Sequence, residues 1–458
     1  MTVGRSKALR PTRSTGGANE REVAWDVLRS GHFAMPHVGS DADFADWREC
    51  RDCGLFQRLP ALDDGQAATC GRCGALLRRA ARNSVALGRF CAAAAAIFLV
   101  LALNVPLVEM RVMGRLATST LFTGPAMLGQ KGLPALAVAV LFTLVLLPAL
   151  KVAIELAVLF GSLASRPPRF LAWLFGSLDS LSPWAMVEVF LLGAIVAYTR
   201  LEAIADVQVG PAIWALGGVM LMLVTVDATL DHEEVWRRLA HESPAEPDRG
   251  PAARGGEQGS SATRDPVGCD ACGRVARAKV GDRCSRCDHR LQVRRGGHAG
   301  VWAMLVTACL LYIPANVLPV MTVKQFGRGA PSTIVNGVGE LAANHLWPLA
   351  ILVLLASIIV PMVKIASLAV LLVLTHRRSG ARLKARTRLF RFVRGIGRWS
   401  MIDVFMLSTL VGVVRLDLFA SVVPELGALA FCSVVVFTMV ATELFDPRTM
   451  WDAAEPAW

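Results

Sequence analysis

Long apolar blocks constrain the fold of this 458-residue chain more than any other feature. Almost uninterrupted apolar stretches lie at 90–108, 133–160, 346–374 and 426–440. Each is close to the ~20 residues that a helix needs to cross a bilayer. The composition agrees, because 54% of residues are hydrophobic and only 18% are charged, whereas soluble chains have about 25% charged residues. The sequence therefore predicts an all-α polytopic membrane protein.

The apolar segments form two groups of four, which predicts eight transmembrane helices. In the first group, one segment begins near Val85 and the other three cover about 133–161, 183–203 and 210–230. In the second group, the four segments cover about 300–321, 346–375, 399–420 and 425–445. Residues of the two groups match at a nearly constant offset of about 211 to 215 positions, so the chain contains an internal repeat. Because each group has an even number of spans in the same order, the two repeats are expected to be parallel.

A cysteine cluster precedes each group of spans. Eight of the eleven cysteines form four Cys-x-x-Cys pairs: Cys50, Cys53, Cys70 and Cys73, and Cys269, Cys272, Cys284 and Cys287. Two such pairs supply four thiolates to one tetrahedral zinc ion, the arrangement of a zinc ribbon. We expect two zinc ions per chain in closed structural sites. Thiol redox chemistry and metal sensing remain alternative roles.

These features divide the chain into seven predicted segments. They are a disordered basic cytoplasmic tail (1–49), zinc ribbon 1 (50–84), transmembrane unit 1 with four helices (85–235), a flexible linker (236–268), zinc ribbon 2 (269–298), transmembrane unit 2 with four helices (299–446) and a cytoplasmic C-terminal tail (447–458). The linker is predicted from its Pro, Gly, Ser and charged residues, a composition that cannot bury a core.

The distribution of basic residues predicts the orientation in the membrane. The loop at 376–398 holds nine lysines and arginines, whereas the loop at 322–345 holds only Lys324 and Arg328. Cytoplasmic loops are enriched in these residues, so both termini and both zinc ribbons are expected in the cytoplasm. The loops at 109–132 and 322–345 then face outwards. The formal net charge of +12 is accounted for in the same way, and no nucleic-acid partner is predicted.

Ionisable residues inside the predicted spans are candidates for a transport pathway, because such groups cost several kcal/mol unless they face a partner or a wet cavity. Lys151 and Glu188 in unit 1 differ in depth by about 7 Å, which is within reach of a flexible lysine side chain, and the same holds for Lys364 and Asp403 in unit 2. The spacing predicts the ion pairs Lys151–Glu188 and Lys364–Asp403. A pair that only fixes the register of two helices is an equally good interpretation.

Prolines and asparagines interrupt the same spans. Pro148 and Pro361 each lie three residues before the lysine, where a missing backbone hydrogen bond predicts a kink beside the charge. Asn316 lies between two prolines at the outer end of the fifth span. The candidate pathway residues are therefore Lys364, Asp403, Pro361, Lys151, Glu188 and Asn316.

Together these motifs resemble the paraquat-inducible protein A family over about 50–458. The resemblance is carried by the duplicated Cys-x-x-Cys pairs before four spans, the Pro-Ala-Asn-Val-Leu-Pro-Val-Met stretch at 314–321, the Pro-x-x-Lys motifs at Pro148 and Pro361, and the Trp-x-Met-x-[Asp/Glu]-Val-Phe motif at Trp184. At Trp399 the motif reads Trp-Ser-Met-Ile-Asp-Val-Phe. The first half departs from the pattern at 103–106, which favours unit 2 for a lipid pocket.

The resemblance implies an inner-membrane protein that partners a periplasmic MCE-domain protein and moves phospholipids between the inner and outer membranes. No phosphate-binding loop of the Gly-x4-Gly-Lys-[Ser/Thr] type occurs in the sequence, so ATP hydrolysis is not expected. No nucleophile with its base, and no open metal site, can be assembled from these residues, which argues against an enzyme. The alternative function is a zinc-ribbon membrane anchor or sensor that does not transport lipids itself.

Overall fold

The computed structural model describes residues 46–112, 115–202, 206–239, 266–292, 294, 297–325, 328–343, 345–413, 415–416 and 420–454. The predicted tail at 1–49 falls mostly outside these residues. Of the predicted linker, residues 240–265 also fall outside them, while its two ends belong to a helix and a strand.

The first half contains two small hairpins, four long helical spans and a three-stranded sheet. Its strands are β1 (Trp47–Glu49), β2 (Phe56–Arg58), β3 (Ala67–Thr69), β4 (Leu76–Arg79), β5 (Val108–Val112), β6 (Arg115–Ser119) and β7 (Asp206–Val209). Its helices are α1 (Ser84–Asn104), α2 (Thr123–Gln130), α3 (Pro134–Leu141), α4 (Leu147–Gly161), α5 (Phe170–Leu181), α6 (Val187–Glu202), α7 (Pro211–Thr229) and α8 (His232–Leu239).

The second half repeats this order of elements. Its strands are β8 (Pro266–Gly268), β9 (Val275–Arg277), β10 (Met321–Gln325), β11 (Arg328–Ser332), β12 (Arg415–Leu416) and β13 (Ala420–Pro424). Its helices are α9 (His298–Val317), α10 (Ile334–Ala343), α11 (Trp347–Leu354), α12 (Val360–His376), α13 (Leu383–Ile396), α14 (Ile402–Val413), α15 (Leu426–Leu444) and α16 (Arg448–Asp452).

Within the described residues, eight helical segments are long and apolar enough to cross a membrane. Spans 1 to 4 are Ser84–Asn104, Pro134–Gly161, Phe170–Thr199 and Pro211–Thr229, and spans 5 to 8 are His298–Val317, Trp347–His376, Leu383–Val413 and Leu426–Leu444. The predicted fold class, a duplicated helical membrane protein with two cysteine clusters, is confirmed. Spans 3 and 7 begin earlier than the sequence predicted, because a short 3₁₀ segment joins two helices in each.

Small antiparallel sheets, which the sequence did not predict, occupy the segments between the spans. In the first half β5 lies between β6 and β7, and in the second the order is β11-β10-β13-β12. The strand that precedes span 4 or span 8 thereby pairs with the strand that follows span 1 or span 5. The segments predicted as the long outward loops at 109–132 and 322–345 are thus folded as hairpins followed by the helices α2 and α10.

A π-helical segment precedes the proline of spans 2 and 6. The two segments, Phe142–Leu146 and Leu355–Ile359, end shortly before Pro148 and Pro361. Proline lacks an N–H group and its ring clashes with the carbonyl of residue i−4, and one wider turn relieves both problems. The interruption predicted beside each lysine therefore takes the form of a π turn.

Close packing of spans 3 and 7 forms the centre of the bundle. The rings of the repeat-related residues Phe190 and Phe405 meet edge to face, with centroids 5.7 Å apart. A Cβ atom at Gly193 would lie 3.0 Å from the carbonyl oxygen of Ile402, so glycine permits this approach. Every residue of α14 is buried. One apolar core therefore includes residues of both halves.

Each cysteine cluster is buried against the spans of the other half. The first cluster packs with apolar side chains of spans 5, 6 and 8, of α13 and of the segment 445–451. The second cluster packs with spans 1, 2 and 3 and with α8. The ribbons therefore cross over between the halves, which follows neither from the repeat nor from the order of the segments.

Candidate metal centres and buried charges

The two cysteine clusters have the geometry of metal centres. In each, the four Sγ atoms lie within 4.8 Å of one another and all four cysteines are buried. The Sγ atoms of Cys50 and Cys73 are 3.5 Å apart, and those of Cys272 and Cys284 are 3.6 Å apart. These separations exclude disulfide bonds, whose sulfurs lie about 2.05 Å apart. Both sets of four predicted ligands are therefore brought together and could hold metal ions.

A tight turn positions each cysteine pair. The N–H of Cys50 donates to the carbonyl of Leu55, and the N–H of Gly54 donates to the carbonyl of Cys50. The same pattern recurs at Cys70, Cys269 and Cys284. The residue after each pair has a positive φ, for example 72° at Gly54, a conformation that glycine adopts without strain. Residues Gly74, Gly273 and Asp288 hold the corresponding positions.

The separations also fit a tetrahedral zinc site. With Zn–S bonds of ~2.3 Å, neighbouring sulfurs of a tetrahedron are about 3.8 Å apart, close to the observed values. His289, which follows the second pair of ribbon 2, takes part through its backbone carbonyl, which accepts the N–H of Cys284. Four sulfur ligands leave no open coordination position, so the clusters have the closed form of structural sites.

Arg391 connects the first cluster to span 7. Its guanidinium donates to the Sγ atom of Cys73 at 3.1 Å and to the carbonyl of Cys73 at 3.2 Å, and it pairs with Asp52. A positive charge at this position stabilises the negative charge of a cysteine thiolate. Because α13 supplies this arginine, ribbon 1 is held by a helix of the second half.

A buried arginine joins the two ribbons. Ribbon 1 of the structure includes β1, which pairs with β2 and lies before the predicted boundary at residue 50. The guanidinium of Arg448 pairs with Glu49 of β1 at 3.2 Å, with Asp270 of ribbon 2 at 3.0 Å and with Asp446 at 2.8 Å. Burial opposes the charge of Arg448, but the hydrogen bonds to Asp446 and the three carboxylates outweigh it and raise its pKa. Removal of this arginine would take one shared countercharge from three carboxylates, and loss of one partner of a buried ion pair typically destabilises by about 3–5 kcal/mol.

Glu233 of α8 binds both ribbons as well. Its carboxylate pairs with Arg48 at 2.8 Å and with Arg286 at 2.9 Å. Burial disfavours the ionised form, but the two arginines outweigh it and lower the pKa of the carboxyl group. A lowered pKa means that this link contributes stability above the ordinary pKa of a glutamate and loses it as the pH falls.

Lys151 is buried at the side of the bundle in unit 1. Its Nζ atom lies 2.7 Å from Asp227 of span 4 and 3.1 Å from the hydroxyl of Ser182. Glu155, one turn later on the same helix, lies 3.9 Å away. Lys151 therefore does not pair with Glu188, and this predicted pair is wrong. Sequence reasoning missed Asp227, although it is the one ionisable residue in the sequence of span 4.

Glu188 instead forms a bridge between the two halves. Its carboxylate accepts a hydrogen bond from Arg398 at 2.8 Å, within the 3₁₀ segment of span 7. The sequence predicts a charged loop at Arg398, whereas the structure places this arginine in a 3₁₀ segment within the bundle. This segment has no clear sequence signal, so the contact with Glu188 could not be predicted.

Among the described residues of unit 2, Lys364 is the most deeply buried charged one, with 2% of its surface exposed. Its ammonium group lies against Gly397, where an added Cβ would be 2.6 Å from Nζ. The carboxylate whose charge acts on it is that of Glu443, which also binds Arg394 at 3.0 Å. The ion pairs of the described residues do not include Lys364 with Asp403, so the second predicted pair is also wrong, although Asp403 is buried as expected.

Asn316 lies in span 5 and Pro361 in span 6, and a tyrosine of span 5 connects these two helices. The side-chain amide of Asn316 donates to the carbonyl of Tyr312 at 2.8 Å, one turn earlier in span 5. The hydroxyl of Tyr312 in turn donates to the carbonyl of Ile358 at 3.2 Å, within the π segment before Pro361. Asn316 thus stabilises the outer end of span 5, and Tyr312 of the same span binds the π turn of span 6. A pathway role for these residues remains a prediction.

Comparison with known proteins identifies the family. The family model described as Paraquat-inducible protein A matches residues 89–240 and 299–455, which are the two span units. The chain belongs to the paraquat-inducible protein A family. The resemblance inferred from the sequence motifs is thereby confirmed. No solved structure matches the chain.

Curated relatives match over almost the whole length. Intermembrane transport protein PqiA of Escherichia coli strain K12 is 33% identical over 88% of this chain and 95% of that protein. Lipophilic envelope-spanning tunnel protein A of the same strain is 28% identical over 91% of this chain and 94% of that protein. A probable intermembrane transport protein of Haemophilus influenzae is 23% identical over 88% and 95%, respectively.

We predict that Gly397→Ala disturbs unit 2 through Lys364. The new methyl group would occupy the position next to the ammonium and displace a lysine that has almost no free space. We expect a lower melting temperature of the purified protein and reduced function in cells. Gly395→Ala is the matched control, because a Cβ at Gly395 meets nothing within 4 Å. Equal behaviour of the two variants would contradict the packing described for Lys364.

Proposed function

We propose that the chain transports lipids between membranes as the inner-membrane component of a system that contains a periplasmic MCE-domain protein. The observation that carries this proposal is the similarity, over 88% of the chain, to a protein named as an intermembrane transport protein. The second relative is named as part of an envelope-spanning tunnel. The chain loads or extracts phospholipids for its partner and thereby supports envelope integrity.

The side of the bundle with the sheets is the proposed docking face. The sheets and the short helices α2 and α10 follow spans 1 and 5, and the cysteine clusters lie at the opposite ends of these spans. With the excess of basic residues at 376–398, the positive-inside rule supports a cytoplasmic position for the ribbons and a periplasmic position for the sheets. Both termini are then cytoplasmic.

The proposed pathway lies in unit 2. Lys364, Asp403 and the π turn before Pro361 put buried polar groups inside an apolar bundle, where such groups are rarely retained without a role. An ammonium group can bind a lipid phosphate, and an irregular turn creates space in a helix. Lys151 and Glu188 occupy the related positions of unit 1, where Lys151 binds Asp227 and Glu188 binds Arg398.

An anchor or sensor without transport activity is the second candidate function. The observation that favours it is the crossed packing of the ribbons, which would transmit loss of a metal ion to both halves. Zinc is the proposed ion in both clusters, because the ligand set and the sulfur separations fit it.

Metal analysis tests the two proposed zinc sites. We predict two zinc ions per purified chain. Cys272→Ser should lose one ion and much of its abundance, because three thiolates hold zinc less well and metal binding contributes to folding. Cys309→Ser is the control, since this cysteine is exposed on span 5, and it should keep both ions. Retention of two ions and normal abundance by Cys272→Ser would contradict a structural site.

Crosslinking and lipid analysis test the proposed function. We predict that a photo-crosslinker at Thr118 of β6 or at Asn336 of α10, two exposed positions, captures an MCE-domain protein in cells. The same crosslinker at Arg82, on the ribbon side, is the matched control and should not capture this protein.

Lipid analysis is the second test. Phospholipid should copurify with the wild type, and less phospholipid should copurify with Lys364→Ala when the two proteins are equally abundant. Capture only from the ribbon side, with no loss of lipid, would favour an anchor.

A further inference from the structure

A small cleft lies between spans 2, 3 and 4 of unit 1, on the side of the ribbons. Its volume is about 420 Å³, including its mouth. The polar lining consists of Lys151, Glu155, Asp179, Ser182, Asp227 and His232. Half of the Asp227 side chain is exposed, whereas the side chains of Lys151 and Glu155 are 5% and 3% exposed. The cleft therefore leads from solvent to two buried ionisable groups.

Glu155 is the group at the inner end that lacks full compensation. One of its carboxylate oxygens, Oε1, lies 3.9 Å from the ammonium of Lys151. The other, Oε2, is buried and has no hydrogen-bond partner among the described residues. A buried carboxylate with one unpaired oxygen is destabilised by several kcal/mol unless its charge is removed or a ligand binds.

The charges of the three central groups do not balance. Lys151 contributes one positive charge, and Glu155 and Asp227 contribute one negative charge each. The ammonium is closer to Asp227, at 2.7 Å, than to Glu155. A proton added to Glu155 would make it a neutral carboxylic acid. The remaining pair, Lys151 and Asp227, would then have no net charge.

The other groups facing Glu155 do not supply this charge. Asp179 of span 3 is already paired with Arg51 of ribbon 1. Ser182 binds Lys151. His232 lines the mouth and is exposed. Gly88 of span 1 packs against the side chain of Leu159, and the lining of the cleft includes no described residue of span 1.

From this geometry we propose that Glu155 is a proton-binding site reached from the ribbon side of the membrane. A hydronium ion in the cleft transfers its proton to Oε2, an O–H bond forms there, and one water molecule remains. A metal cation is disfavoured, because the ammonium of Lys151 would repel it at the same oxygen atoms. A lipid phosphate is disfavoured, because the carboxylates of Glu155, Asp179 and Asp227 line the same cleft and would repel a second anion.

The second repeat lacks this acid. In the alignment that matches Lys151 with Lys364, the position of Glu155 is held by Leu368, which is completely buried. The two units therefore differ in the carboxyl group at this repeat position, and the proposal assigns proton binding at this position to unit 1. The comparison also supplies a substitution, Glu155→Leu, that the related helix accommodates.

Infrared difference spectroscopy of the full chain with both metal sites filled tests the proposal. The spectrum of the wild type minus that of Glu155→Gln should contain the carbonyl band of a protonated carboxylic acid, sensitive to deuterium and lost reversibly as the pH is raised. Glu155→Leu should lose the same band. Glu188→Gln is the matched control and should keep it, because Glu188 binds Arg398 outside the cleft.

Two results would overturn the proposal. One is that the wild-type and Glu155→Gln spectra contain the same carboxylic-acid bands. This comparison is made at every pH at which the metal content and the gel-filtration profile show that the protein is folded. The other is a band that disappears at constant pH when sodium replaces potassium, which would indicate a metal cation site. An unchanged band in sodium supports the proton.

Discussion

The burial of each cysteine cluster against the spans of the opposite half is the constraint on which the rest of the structure depends. Leu368, Leu371 and Leu372 of span 6 are completely buried beside the first cluster, and each buried leucine contributes about 1.5–3 kcal/mol. The ribbons cannot separate without exposing these side chains. Arg448 and Glu233 each form ion pairs with residues of both ribbons. These ion pairs form only when both ribbons are folded. The two halves are thus joined at the ribbon side, and by spans 3 and 7 within the bundle.

The two repeats differ in the residues that surround their buried lysines. Lys151 and Lys364 occupy the same place in the repeat, each after a π turn and a proline, but their surroundings differ. Lys151 binds Ser182 and Asp227, whereas Lys364 has Gly397 in place of the serine and feels Glu443 from a greater distance. Glu155 near the first lysine is replaced by Leu368 near the second. Unit 1 therefore contains a compensated charge beside a cleft that opens to solvent, while the charge of unit 2 is enclosed by the bundle.

Much of the fold could be predicted from the sequence because its signals are local. Thiolate spacing predicts the metal clusters, and the apolar blocks predict the eight spans. The partners of the buried charges could not be predicted, since they depend on how each helix is rotated. Glu188 lay at a suitable depth for Lys151, but it faces Arg398. The sheets could not be predicted either, because strands of five residues next to apolar spans have little periodicity. Nothing in the cysteine motifs indicates which half each ribbon will contact.

The most direct test of the crossed arrangement is photo-crosslinking within the full chain. A crosslinker at Leu77 of ribbon 1 or Ala278 of ribbon 2, both packed against the buried apolar residues around the cysteines, is activated in membranes. A protease site inserted in the segment 240–265 then separates the halves. The crossed packing predicts that both positions join the N-terminal fragment to the C-terminal fragment. Crosslinks confined to the fragment that carries the crosslinker would show that each ribbon packs on its own half.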